Sequence, residues 1–467
     1  MRGKNRVFYQ LPLSLWERGR GEGARVKLLF KYQKWTISFM AMAALLLTSV
    51  AQAAPPIQHW TLANGARVYF VESRELPMLQ LRVVFDAGAA REPPGKQGLA
   101  RLTAGLLREG AGTLDANRIA ATLEDLGAVL GVNASLDMAE VQLRSLSERG
   151  MRAPALEVLR QMLLAPSFPE DSLKRERARA LVRLQQARQS PGEVAGRAFY
   201  QALYGAHPYA RHPDGSEAGV NAVTRADVVE FYRRHYVGAN AVLALVGDLS
   251  GSEARVLAQH LLGDLPAGSP PPDLPPVPER VKGGRKDVAH PSSQVHILMG
   301  QPGMTRTDAD YFPLLIGNHM LGGGGLVSRL SEEIRERRGL SYSVYSYFTP
   351  LHERGPFIAG LQTENARRRE AETVMRRTVV EFIAQGPSEQ ELVAAKQQLA
   401  GGFPLRIDSN RKIADYLAAI GFYRLPLGYL GDFVARVEAV SAEQVREAVR
   451  RRLNVDTMFT VTVGGGK

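Results

Sequence analysis

The chain has 467 residues, 45% apolar and 23% charged, ordinary for a soluble globular protein and too long for one core, so about two to three domains are expected. It has no cysteine, which excludes disulfides, a thiolate nucleophile and cysteine-ligated metal. The formal charge of +12 does not mark a nucleic-acid binder, because residues 1–53 contribute +7 of it through nine Lys/Arg against Glu17 and Glu22.

Residues 1–53 read as an N-terminal extension and signal peptide. Trp35–Ala54 is uncharged and follows Lys27, Lys31 and Lys34, and the small residues Ala51 and Ala53 form a cleavage site near Ala53/Ala54. Thr36, Ser38, Thr48, Ser49 and Gln52 count against a permanent anchor, so membrane contact is expected only through an uncleaved signal. Residues 1–25 do not resemble any part of a signal, which leaves Met1 and about Val26 as alternative starts. The mature protein, from Ala54, is expected in the periplasm or secreted.

From Ile57 the pattern predicts a hairpin turning at Asn64-Gly65 and a strand alternating through Leu79, Leu81, Val83 and Phe85. Helices are expected at Gly98–Arg108, Asp115–Leu126, Ala155–Leu164 and Asp171–Gln189, with a strand through Val141, Leu143 and Leu146. Thr224 and Asp227 form a capping box for a helix through Tyr236, and Asn240–Asp248 is a buried strand. A Pro/Gly-rich linker at 266–286 follows. Then come a strand at Val295–Met299, a helix at Asp308–Leu321, a strand at Phe357–Gln362 and a helix at Arg368–Ile383. Ser388 with Glu391, and Ser441 with Gln444, are further capping boxes.

Val220–Gly247 aligns without a gap on Val437–Gly464, matching Thr224 to Ser441, Arg233 and Arg234 to Arg450 and Arg451, and Gly247 to Gly464. The fold class is therefore α+β, with two tandem homologous α+β domains (54–265 and 287–467) joined by the linker and enclosing a chamber.

Between them in interest stands Gly322–Tyr345, where Gly322, Gly323, Gly324 and Gly325 precede a helix expected from Val327 or Ser328 to Gly339. A strand is expected near Tyr342 and Tyr345. Glycines permit close backbone approach, but no Gly-Lys-Ser/Thr follows, so this is not a phosphate loop.

The residues alone show no catalytic set. No two of the nine histidines lie four apart on a helix, and no G-x-S-x-G surrounds a serine. His207 and His212 share a loop with Asp214 and read as structural, and the run from Lys174 to Arg183 reads as a solvated face or a dock for an acidic partner.

The segments "LANGARVYFVE", "DAGAAREPPGKQGLARLTAGLLREGAGT", "HPYARHPDG", "FYRRHYVGANAVLALVGD" and "SRLSEEIRERRGLSYSVYSYF" resemble the insulinase/pitrilysin-like zinc metallopeptidases, which include mitochondrial processing peptidase. The resemblance covers Ile57–Gly464 and implies the two-domain clamshell. Active members carry H-x-x-E-H, two zinc ligands and a general base, where this chain has Arg101, Ala104 and Gly105. Their third ligand falls near Val182, and Glu176 matches an acid that supports the site. The resemblance thus implies no catalytic residue and no metal in this chain, and Arg101 would repel a dication.

An Arg and a Tyr seven residues on, which hold substrate backbone near the zinc in the family, match Arg335 and Tyr342. The family includes heterodimers in which one subunit keeps the zinc motif and the other keeps this pair, and Gly322–Gly325 resembles the glycine loop of the latter. The resemblance therefore implies the non-catalytic subunit of an endopeptidase, inactive alone, with zinc in its homologous partner. Its substrate would be a peptide or unfolded polypeptide, with no nucleic acid. The alternative is a structural or peptide-binding scaffold.

Overall fold

The computed structural model of the protein describes residues 55–279 and 282–466; the expected signal segment lies outside them. Two sheets organise the described residues. The first holds β1 (Gln58–Thr61), β2 (Arg67–Glu72), β3 (Met78–Asp86), β4 (Val129–Ala134), β5 (Met138–Leu146) and β6 (Ala241–Gly247), in the order β1-β2-β6-β3-β5-β4. The second holds β7 (Gly284–Val288), β8 (Gln294–Pro302), β9 (Val344–Phe348), β10 (Pro356–Glu364) and β11 (Phe459–Val463), in the order β9-β10-β8-β11-β7. In each sheet one pair is parallel, β2 with β6 and β7 with β11, and all others are antiparallel. The second sheet is the first repeated without β1. Its β7 begins within the expected linker, whose last residues thus enter the sheet.

Local chemistry accounts for most boundaries. Asn64-Gly65 turns the first hairpin, with Gly65 at φ +90°. Asp115 caps Ala116–Asp125 by accepting from the Arg118 N–H. The reciprocal capping boxes at Thr224, Ser388 and Ser441 are all formed. The expected Ala155–Leu164 helix starts earlier, at Arg149, and runs through Pro154 in its second turn.

The helices used below are α1 (Leu99–Leu106), α2 (Glu170–Gln189), α3 (Pro191–Tyr204), α4 (Arg225–His235), α5 (Tyr311–Asn318), α6 (Arg368–Gln385), α7 (Asn410–Phe422) and α8 (Ala442–Arg452). The duplicate pair α4 and α8 precede β6 and β11, and Gly247 and Gly464 both take φ +146°. A Cβ at Gly247 would lie 2.2 Å from the Met78 O, so the repeated glycine is demanded by backbone approaching backbone.

The halves are joined by an exchange of helices. α7, from the second half, lays Ile413, Leu417 and Ile420 on Tyr69, Val71, Val84, Val242 and Val246 of the first sheet. α3, from the first half, lays Phe199 and Leu203 on Leu298, Val461 and Val463 of the second. Separating the halves would expose both apolar faces, and each fully exposed Leu, Ile or Phe costs roughly 1.5–3 kcal/mol. The two homologous domains therefore close on one another as the expected clamshell. Asp137, in the β4–β5 turn, ties them further. Its buried carboxylate accepts from the Tyr209 hydroxyl at 2.8 Å, the His352 N–H at 2.9 Å and the Tyr423 hydroxyl at 3.2 Å. Burial raises its pKa, opposed by those donors. Among the described residues no helix is long and apolar enough to cross a membrane.

The backbone argument gives a paired prediction. Gly247→Ala should destabilise by at least ~2 kcal/mol, whereas Gly196→Ala, inside α3 with no atom within 4 Å of its added Cβ, should be neutral or stabilising. Urea unfolding midpoints of the two variants would show equal shifts if the conformation at Gly247 were not required.

Candidate functional site

The positions that the resemblance matches to the zinc motif lie on α1 (Arg101, Ala104, Gly105) and α2 (Val182). Gly98, at φ +106°, starts α1, and Glu92 caps it: its Oε1 accepts from the Gly98 N–H at 2.9 Å and the Ala100 N–H at 3.0 Å. Glu92 is buried and its Oε2 has no protein partner. Burial pushes this carboxyl up to about 8, against the pull of the two N–H groups and of Arg211.

Arg101, on α1, turns its guanidinium to the Asp214 carboxylate, forming an ion pair. Asp214 also holds Arg197 at 3.3 Å, and Arg197 donates to the Gly215 O at 2.9 Å. His212 sits beside them with Nδ1 3.5 Å from the carboxylate, but that nitrogen accepts the Asp214 N–H at 3.2 Å, so the imidazole is neutral and not an ion-pair partner. Its pKa falls to about 4, first through burial and then through Arg197.

Ala104 is buried in the first core. Gly105 faces α2, where a Cβ would lie 3.8 Å from Glu176 Oε2, and Glu176 is held by Arg179 at 2.6 Å. Val182, also on α2, is 52% exposed. The positions that the resemblance matches to the family's ligands thus hold a guanidinium tied to an acid, a glycine and a valine, with one acid between arginines. Among the described residues no three His, Asp or Glu side chains gather as a metal-holding group. This donor set does not fit zinc, which needs three or four converging donors.

Arg335 and Tyr342 come together in the second half. The Arg335 guanidinium carbon lies 4.7 Å from the Tyr342 ring centroid, and its Nε is 3.3 Å from Glu336. Tyr342 is 81% exposed, unusual for so large a ring. The strand expected near Tyr342 begins only at Val344, which leaves Tyr342 on the lead-in, free of sheet packing. Its neighbours are nonetheless fixed. Ser341 Oγ lies 2.7 Å from both the Ser343 O and the Gln362 O, and the Leu340 N–H bonds the Ile334 O at 2.8 Å.

The glycines do not open a regular helix at Val327 or Ser328. α5 runs on into wide turns at His319–Gly323, tight ones at Gly325–Val327, and wide turns again at Ser331–Glu336. Such π-helical stretches are frequent at functional sites. Gly322 passes so near β9 that a Cβ would lie 2.5 Å from the Ser346 N, whereas Gly325, at φ +64°, faces open space beside the exposed Leu326 and Val327. Gly322 thus serves packing and Gly325 the loop. Among the described residues no hydrogen bond, ion pair or ring contact links Arg335 or Tyr342 with Arg101, Gly105, Glu176 or Val182.

The comparisons with known proteins show the family. Residues 67–214 match the family model described as Insulinase (Peptidase family M16), and residues 222–399 match Peptidase M16 inactive domain. A solved peptidase M16 inactive domain from Pseudomonas fluorescens is 40% identical, with a TM-score of 0.84 over 87% of this chain and 97% of that one. The chain belongs to peptidase family M16. The non-peptidase homolog YmxG of Helicobacter pylori is 25% identical over 86% of this chain and 92% of its own. The fold also matches the periplasmic protease PqqL of Escherichia coli, with a TM-score of 0.74 and 18% identity, covering 89% of this chain but 46% of that one.

Two features escaped sequence reasoning. An Arg in a ligand position needs an acid, and Asp214 in "HPDG" was the available signal. Glu92 carried none, since its burial follows from how the Pro93–Gln97 turn folds over α1.

Glu92 yields a pH prediction. Its folded pKa lies above the ordinary value of 4.5, so its contribution to stability is fully present below about 4.5 and is lost as pH rises towards about 8. The stability of the protein minus that of Glu92→Gln should fall across that window in denaturant titrations, and a constant difference would contradict it.

Proposed function

We propose that this chain is the substrate-holding subunit of a two-chain zinc endopeptidase outside the cytoplasm. The observation that carries the reading is the Arg335–Tyr342 pair, an exposed ring against a half-buried guanidinium, in a chain whose own ligand positions cannot gather zinc donors. An exposed ring stacked on a guanidinium is prepared to meet another surface. The pair would act at a zinc-bearing homologue's site: Arg335 as a fork of donors to substrate carbonyls, Tyr342 as a hydroxyl donor to the oxyanion that develops during hydrolysis. The zinc, its activated water and the general base would belong to the partner.

Size supports the pairing. PqqL, a single chain of this fold, is about twice as long as the segment it shares with this one. In this reading residues 54–265 and 287–467 are the two domains, 266–286 the linker, and export relies on the Trp35–Ala54 signal. Peptides or unfolded segments would enter between the two chains.

The test is peptide cleavage by the mature chain and an H-x-x-E-H homologue from the same cell, assayed singly and together. Cleavage should require both, and Arg335→Ala or Tyr342→Phe should lower it by about 10- to 1,000-fold without dissolving the complex. A complex whose activity ignores both substitutions would make the chain a scaffold.

A further inference from the structure

The first sheet covers the outer edge of β2 with β1, and helix Gly251–Leu262 packs alongside. The equivalent strand in the second sheet, β7, has no counterpart to either among the described residues, and it ends the sheet with Gly284, Arg285, Lys286 and Asp287 exposed. By the alternation of a parallel pair, the Gly284 N–H and Val288 O turn inward to β11, so the N–H and C=O groups of Arg285 and Asp287 face outward, unpaired by the sheet. Between this edge and α6 runs a groove of about 1000 Å³.

The groove is basic. Arg285 and Arg368 are satisfied within it by Asp287 and Glu372. Arg369 is exposed with no acidic partner among the described residues, and Arg376, which donates to the Val455 O at 3.4 Å, has as its acidic partner among them Asp456, itself 93% exposed, at 3.7 Å. Arg377 completes the row along α6, with Glu333 at 3.4 Å. Arg369 and Arg376 lie about 10 Å apart along the helix, a spacing bracketed by carboxylates two or four places apart on a strand, about 7 or 13 Å.

We infer that this groove receives an extended acidic polypeptide segment, which adds to β7 as the strand the second sheet lacks and sets alternate Asp or Glu side chains against Arg369 and Arg376. Main-chain bonds to the β7 edge supply affinity, and the arginines supply the choice of charge. The site is separate from the Arg335–Tyr342 pair and stands or falls independently of it.

The experiment is fluorescence anisotropy of the mature chain with a labelled peptide alternating Glu and Val, compared with its Lys/Val counterpart and with a copy N-methylated on alternate residues. The Glu peptide should bind saturably and weaken as salt rises from about 50 to about 300 mM. The Lys and N-methylated peptides should fail to bind. Both arginines are exposed, so Arg369→Glu with Arg376→Glu should keep the fold and lose affinity by about tenfold or more. Equal binding of the N-methylated peptide would overturn strand addition. Absence of saturable binding, or affinity unchanged in the double variant, would overturn the site.

Discussion

The exchange of α3 and α7 between the two sheets is the constraint on which the other features hang. Each helix supplies the missing cover for the other half's sheet, so neither half completes its core alone. At Gly421 the approach is close enough that a Cβ would stand 2.5 Å from Val242 Cγ1 and 2.6 Å from the Tyr69 ring. Asp137 sits at the same seam and is satisfied from both halves. A buried carboxylate with its donors drawn from two domains is costly to half-satisfy, which favours a single arrangement of the halves. The rigid seam in turn fixes α1 and α2 on one side and the lead-in to β9 on the other.

Within that frame, the charges of Arg101 on α1 and Glu176 on α2 are met by neighbouring side chains. Arg101, on α1, is paired with Asp214, which also serves Arg197. Glu176, on α2, is held by Arg179. These charged groups on α1 and α2 thus balance locally, while the Tyr342 ring is turned to solvent.

Much of this was legible in the sequence because it rests on local rules. The capping boxes at Thr224, Ser388 and Ser441, the Asn64-Gly65 turn and the Val220–Gly247 repeat each follow from residue chemistry at short spacing. The repeat even carried Gly247 onto Gly464, which share one unusual backbone conformation. What was hidden depends on tertiary approach. The wide turns at His319–Gly323 and Ser331–Glu336 obey no local signal, and in the first Gly322 passes against Ser346 of another element. The late start of β9 left Tyr342 exposed, whereas its aromatic, strand-like surroundings suggested a sheet position. The Arg101–Asp214 pair joins residues more than a hundred positions apart, and the open edge of β7 emerges only when the two sheets are laid side by side.

The central claim is that Tyr342 touches substrate in a complex with a zinc-bearing partner. Its most direct measurement is photo-crosslinking with a benzophenone amino acid at position 342, in the presence of the H-x-x-E-H homologue and a labelled peptide. The account predicts a covalent adduct with the peptide that appears only when the homologue is present. A complex that forms normally yet gives no peptide adduct from position 342 would contradict it.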